Sequence, residues 1–289
     1  MIMNKFHPLT ITSIDRLTAD AVAISFDVSN NALFQFDAGQ YITIKQDING
    51  EEVRRAYSIC SMNAEGVTIG VKKVEDGRMS TFLTESVKKG DVLKVMPPSG
   101  NFVIKGDNKH IVGICAGSGV TPIIAMLKTE LAKPSDAKFT LIYGNKTKDS
   151  SMFSEEIKQL QEENPERLKI HWAFSRERIA GTINGRLDKN TIQQLLNTFM
   201  PLKTADAYFV CGPGELIDNA NELLLLNNIN QKKINFERFT TVEKTDVADN
   251  DSDEIISNVR VCVDGEDFEF TLSNKGQTIL DAAMEQGAD

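Results

Sequence analysis

The sequence predicts a multidomain chain: an antiparallel β-barrel, then an α/β domain with a parallel sheet, then the opening of a third, smaller unit. Three observations carry this. At about 150 residues per domain, 289 residues suggest two domains with room for a third, small one. From about Leu9 to Ile104 apolar residues recur at period two in short runs broken by turn residues. After Lys105 apolar strands alternate with helical patterns. At 41% apolar and 25% charged, global disorder, collagen and disulfide scaffolds are excluded.

In the first region LTITSIDRL, AVAISFDV, QYITIKQ, VTIGVKKV and VLKVMPP alternate as half-buried strands do. One helical stretch, Arg78 to Val87, interrupts them, and so many short strands suggest a closed antiparallel barrel. HIVGICAG is then a near-continuous apolar run, the mark of a strand buried on both faces. Helix Thr121 to Ala132 follows, then strand KFTLIYG, helix MFSEEIKQLQEE, strand LKIHWAFS, helix NTIQQLLNTF, strand AYFVCG and helix GELIDNANELLLL. Such alternation makes an open parallel sheet that binds ligands beyond the carboxyl ends of its strands. Residues 240–254 contain six acidic side chains and no Phe, Leu or Ile, which reads as a linker. VRVCVDGEDFEFTL carries an Asp-Gly turn between two alternating runs, a hairpin signal, and TILDAAMEQG opens a helix. A hairpin and one helix are too little to bury a self-sufficient core.

The net charge of −9 is unevenly spread: −1 over residues 1–104, +2 over 105–239 and −10 over 240–289. An acidic excess argues against nucleic acid as partner. It suits a solvating tail or a docking surface for a basic partner. No apolar run approaches the roughly 20 residues of a membrane span, and MIMNKFHPLT has no secretory pattern. Cys60, Cys115, Cys211 and Cys262 show no metal-ligand spacing, so the expectation is a cytoplasmic protein with reduced thiols, without a membrane partner or a protein-only zinc site.

Four clusters carry chemistry. Arg55-Ala56-Tyr57-Ser58 ends a barrel strand; Arg55 offers a donor fork suited to phosphate, and Tyr57 faces the same way two residues on. The same residues also read as an exposed Arg beside a half-buried Tyr. Asp76-Gly77-Arg78-Met79-Ser80-Thr81 opens the barrel helix, which is either an anion site or an ordinary helix start. Ala116-Gly117-Ser118-Gly119-Val120-Thr121-Pro122 joins strand to helix, but the third glycine of the usual dinucleotide fingerprint is missing. Cys211-Gly212-Pro213 ends a strand at the crevice. Buried cysteines are usually small core residues; Cys60, Cys115 and Cys262 are read so.

Taken in order, these motifs resemble the ferredoxin–NADP reductase family. RAYS is similar to its flavin-binding RxYS. The resemblance implies that Arg55 holds a flavin phosphate, that Tyr57 packs on the isoalloxazine ring, that Ser58 hydrogen-bonds near N5, and that Ala56 belongs to the same cofactor-binding stretch. Gly77, Met79, Ser80 and Thr81 match the step that receives the flavin pyrophosphate, and the backbone of Val71, Lys72 and Lys73 precedes it. Arg54 has no motif role. Gly117, Ser118, Gly119, Thr121 and Pro122 match the GxGxTP turn that cradles the NAD(P)H pyrophosphate. Ser175 and Arg176, with Arg186 as helper, fall where the family reads the adenosine ribose. A guanidinium there suits a 2′-phosphate, whereas an acidic residue would favour the 2′-OH of NAD; the resemblance therefore points to NADPH, with NADH and an unassigned role for Arg176 left open. Cys211, Gly212 and Pro213 match CGP beside the nicotinamide, and Glu237-Arg238-Phe239 matches ERF, with Phe239 shielding the flavin and Glu237 shaping the nicotinamide site.

What this implies is hydride transfer from NADPH to FAD, with Ser58, Thr121, Cys211 and Glu237 as the catalytic group, in an enzyme. The divisions are 1–104 for the FAD-binding barrel, 105–239 for the NAD(P)-binding domain, 240–255 for the linker and 256–289 for an incomplete, β-grasp ferredoxin-like domain. That last segment resembles a plant-type ferredoxin up to its cluster loop, whose cysteines are absent. A 2Fe-2S cluster is therefore expected only in a longer natural chain, and with it electron delivery to an oxygenase or another redox protein. Among relatives, reductases of aromatic-ring and phenylacetyl-CoA oxygenase systems are most similar. A two-domain ferredoxin or flavodoxin reductase or diaphorase, a non-enzymatic interaction protein and a redox sensor on this fold remain alternatives. The acidic excess then favours an electron-transfer module over a solvating tail.

Overall fold

A computed structural model describes residues 5–29, 31–239, 255–263, 266–274 and 279–287. The chain divides into two compact units, Met1–Phe239 and Thr240–Asp289. The first begins with β1 (His7–Thr18), β2 (Ala21–Phe26), β3 (Tyr41–Ile48), β4 (Glu51–Ser58), β5 (Thr68–Lys72), α1 (Arg78–Glu85) and β6 (Val92–Val95). These strands form one antiparallel sheet in the order β4-β3-β6-β1-β2-β5. A bridge between Ile59 and Ile69, with the Cys60 N–H donating to the Thr68 carbonyl at 2.8 Å, joins the two ends into a barrel. Ile11, Ile24, Ile42, Ile44, Ile69 and Val95 fill it, and Met79 and Leu83 of α1 complete the core. Each such side chain contributes roughly 1.5–3 kcal/mol on burial. The helix stops at Glu85, two residues short of the expected end. β4 is longer than the RAYS tail that marks it, because Glu51, Glu52 and Arg54 face solvent and mask its alternation.

The parallel sheet follows: β7 (His110–Ala116), α2 (Val120–Ala132), β8 (Lys138–Asn145), α3 (Ser154–Glu163), β9 (Leu168–Phe174), β10 (Ile183–Asn184), α4 (Lys189–Thr198), β11 (Ala207–Gly212), α5 (Gly214–Leu226) and β12 (Ile234–Arg238). The order β10-β9-β8-β7-β11-β12 reverses direction between β7 and β11, and a crevice opens at the carboxyl ends of the strands at such a point. α2 and α3 share one apolar cluster with the sheet, and α4 and α5 share the other. Helix α3 starts at Ser154 rather than Met152 because Phe153 sits at φ +59°, outside the helical region. Both residues turn into the core instead. β10 and β12 carry no clear strand signal in the sequence; one has two residues and the other hides behind the charges of INFER.

Barrel and parallel sheet are held together by mixed contacts. Lys128 of α2 pairs with Glu65 of the barrel at 2.9 Å and with Glu156 of α3 at 3.0 Å. Lys72 Nζ donates to the Ser150 carbonyl at 3.0 Å. The rings of Phe102 and Phe209 meet edge-on, 5.3 Å apart.

The second unit holds β13 (Ile256–Val263), β14 (Glu266–Ser273) and α6 (Ile279–Glu285). The strands pair antiparallel from Ile256↔Ser273 to Val263↔Glu266, the register of a hairpin. Asp264, Gly265 and the acidic stretch 240–254 lie outside the described residues. Cys262 is exposed, which corrects its reading as a core residue: it falls out of phase with Val259 and Val261, which share the hairpin's half-buried face. Among the described residues no helix is long and apolar enough to cross a membrane, and no cluster of side chains suits a metal ion.

Candidate active site

The barrel contributes the end of β4. Arg54 points outward and pairs with Glu52 at 2.7 Å. Arg55, the next residue, is exposed; its guanidinium donates to the Arg54 carbonyl at 2.7 Å and has no carboxylate partner among the described residues. Tyr57 is half-buried, and burial pushes its phenol up, opposed by Arg55. Ser58 is buried, and its Oγ donates to Glu237 Oε2 at 3.3 Å. That contact spans 179 residues and brings the RAYS and ERF segments together.

Burial raises Glu237 to about 7, with the Ser58 hydrogen bond opposing the shift. Glu237 lies opposite Cys211 in the β11–β12 register, and Cys211 lies opposite Cys115 of β7. Cys211 is fully buried. Burial first, then Glu237 and Cys115, raises its thiol well above the ordinary value, so it is a neutral, packed group rather than a thiolate nucleophile. β12 and the barrel also bound an open groove of about 350 Å³ lined by Tyr41, Gly100, Asn101, Phe102, Asn235, Phe236 and Glu237. Tyr41 and Asn235 belong to no motif, so the sequence carries no signal that would single them out.

The turn after β7 uses its glycines differently. Gly117 has φ +56°, a left-handed conformation that glycine adopts without penalty, and a Cβ added there meets nothing within 4 Å. Gly119 has an ordinary φ, but its added Cβ would lie 2.3 Å from the Cys211 carbonyl oxygen. The turn therefore approaches β11 too closely for any other residue. Gly119→Ala is expected to cost about 2–3 kcal/mol, the upper range of overpacking. Gly117→Ala, charged only with backbone strain, should cost about 1 kcal/mol. Urea denaturation of both variants tests this order; equal losses would refute it. Thr121 is buried and its Oγ1 donates to the Ser118 carbonyl at 2.9 Å. Pro122 lies in the first turn of α2. Gly212 and Pro213 lead from β11 into α5.

At the start of α1, Gly77 occupies the N-cap position. The Ser80 hydroxyl accepts from the Val74 N–H at 3.2 Å and donates to the Gly77 carbonyl at 3.1 Å, so its proton is already engaged within the turn. Met79 and Val71 are buried in the barrel core, and Lys73 pairs with Glu85 at 2.6 Å. With Lys72 tied to Ser150, this strand end has backbone rather than side chains to offer a ligand. Thr81 is half-buried. Ser175 and Arg176 directly follow β9 and, like Arg186, are exposed; neither guanidinium has an ion pair among the described residues. They stand apart from the Ser58–Glu237–Cys211 group, with β8 and β7 between β9 and β11. Phe239 is 43% exposed.

These residues fit a flavin and a pyridine nucleotide. An exposed guanidinium and a half-buried aromatic ring share one strand end, and a glycine turn opens into free space at the head of α2. Fold and site together define a flavin- and nicotinamide-dependent oxidoreductase. Residues 8–104 match the oxidoreductase FAD-binding domain family, and residues 114–222 match the oxidoreductase NAD-binding domain family. The chain is 36% identical to one component of the 1,2-phenylacetyl-CoA epoxidase of Escherichia coli (strain K12), over 99% of this chain and 83% of that one. It is 30% identical to the ferredoxin reductase component of 3-ketosteroid-9-alpha-monooxygenase of Rhodococcus rhodochrous, over 97% and 80%. In fold it is similar to the FAD/NAD-binding domain of a Vibrio cholerae O1 biovar El Tor nitric oxide dioxygenase, with TM-score 0.73 at 22% identity over 82% of this chain and 99% of that one. Ferredoxin-NADP+ reductase from Plasmodium falciparum gives TM-score 0.69 at 21% identity, over 81% and 96%. The chain belongs to the ferredoxin–NADP reductase family of flavoproteins. It is an enzyme that binds FAD and NAD(P)H.

Proposed function

We propose that this chain is the reductase component of an oxygenase system of the phenylacetyl-CoA epoxidase kind, drawing electrons from NADPH and working in the cytoplasm. The observation that carries the reading is the Ser58–Glu237 contact. It joins the flavin-motif strand to the edge strand beside Cys211, so that two sets of ligand-binding residues meet at one place. FAD, when bound, accepts electrons in pairs from NAD(P)H and passes them on singly. Arg55 holds its phosphate, Tyr57 and Phe239 border its ring, and the start of α1 with the strand before it lines the remainder. Gly117, Ser118 and Gly119 take the nucleotide pyrophosphate, while Thr121 and Cys211 bracket the nicotinamide. The neutral Cys211 adds no charge there, and Glu237 with Ser58 offers a proton-holding pair.

Residues 1–104 serve as the flavin barrel and 105–239 as the nucleotide domain. Residues 240–255 are the acidic link to a ferredoxin-like portion, 256–289. The acceptor is an oxygenase protein, reached through a 2Fe-2S cluster where a longer chain supplies one. Arg176, assisted by Arg186, selects the 2′-phosphate. With FAD bound and an artificial electron acceptor, the protein should oxidise NADPH with a lower KM than NADH. Arg176→Ala should raise the KM for NADPH about tenfold, the loss of one charge-assisted contact, and leave that for NADH unchanged. Equal effects on both nucleotides would reject the 2′-phosphate role, and no oxidation of either would reject the reductase reading.

A further inference from the structure

Tyr143 of β8 lies among buried residues of the parallel sheet and is itself fully buried. Its ring is 5.5 Å from that of Trp172. A buried hydroxyl is costly without a partner, and a phenylalanine would fill nearly the same space without that demand. The hydroxyl reaches the carbonyl of Gly117 at 3.1 Å and, at longer range, that of Met152 at 3.4 Å. Burial pushes its phenol well above the ordinary value, so it stays protonated and donates.

The Gly117 carbonyl matters because of where it stands. A carbonyl turned toward a pyrophosphate sets its negative end against an anion, whereas amides turned that way attract it. At φ +56° glycine is free to adopt other orientations at little cost. The Val120 N–H meets both the Gly117 and Ser118 carbonyls, and Thr121 Oγ1 holds that of Ser118. Those donors belong to the turn and its own helix. Tyr143 alone among these donors comes from another strand. Its second partner is the backbone carbonyl of Met152, the residue whose side chain ends beside Gly70 of β5.

We infer that the Tyr143 hydroxyl is a positioning group for pyridine-nucleotide binding, anchoring the Gly117 carbonyl on the protein side so that the amides of the turn face the pyrophosphate. This rests on the reading of Gly117–Gly119 as the pyrophosphate turn. Tyr143 touches no ligand; it acts through the turn.

The test is steady-state oxidation of NADPH by the full chain with FAD bound, comparing wild type, Tyr143→Phe and Gly117→Ala. Tyr143→Phe is expected to raise KM about fivefold to tenfold, the effect of one hydrogen bond, with kcat within about twofold and flavin content unchanged. A merely structural role would lower thermal stability and leave KM in place. If Gly117→Ala raises KM while Tyr143→Phe does not, the positioning role is overturned and the turn keeps its ligand. If neither variant moves KM, the pyrophosphate reading falls, and the inference with it.

Discussion

Arg55→Ala is expected to purify with little of its FAD, the affinity weakened roughly 10- to 100-fold. The guanidinium is exposed and lacks a carboxylate partner among the described residues, so its charge is available to a phosphate. A hydrogen bond to a charged group contributes about 1.5–3 kcal/mol, and about 1.4 kcal/mol is a factor of ten in affinity. Arg55→Lys keeps the charge but loses the planar fork, and should fall between alanine and wild type. Arg54→Ala is the internal control: its side chain is occupied by Glu52, and flavin content should not change. Because Arg55 is exposed, folding stability of the apoprotein should move by no more than about 0.5 kcal/mol. The readouts are visible flavin absorbance per chain and a fluorescence titration of apoprotein with FAD. Full flavin content in Arg55→Ala, or equal loss in Arg54→Ala, would remove Arg55 from the phosphate site.

The two arginines also show what a sequence carries. Their types and spacing mark a strand end with a cation and an aromatic ring on one side, but not which arginine is already paired. That depends on Glu52 lying two residues back on the same face, a pattern hidden among the charges of β4. The barrel and parallel sheet are legible because their strands alternate or run apolar over many residues. β10 is not, being two residues long, and the start of α3 is displaced because nothing in MFSEE announces the left-handed Phe153. Cys262 reads as core only when residue type is weighed above phase. Within the site, the motifs locate Ser58, Cys211 and Glu237 but not the hydrogen bond between the first and last. Such contacts, like the Tyr143–Gly117 bond, are fixed by tertiary packing and leave no local pattern.

Glu237→Gln should change how stability depends on pH. Glu237 titrates at about 7 in the folded protein against an ordinary 4.5. Between those values the folded chain holds a proton that the unfolded chain has released. The stability from this group is therefore fully present below 4.5, declines as pH rises, and is gone above about 7. One pKa unit corresponds to about 1.4 kcal/mol, so the decline is about 2–3 kcal/mol once partial exposure is allowed for. Glutamine has no proton to release and keeps an acceptor for Ser58. Relative to wild type, Glu237→Gln should gain about that amount between pH 4.5 and pH 8, read as the difference between two urea-denaturation series. Other titrating groups cancel in that difference. Because Glu237 is near half-protonated at neutral pH beside Ser58, the pH profile of NADPH oxidation should also lose an inflection near 7 in the variant. Parallel stability curves would mean that Glu237 is as well solvated in the fold as in water. The groove bounded by Tyr41, Asn101 and Asn235 would then be the path by which water reaches the carboxylate.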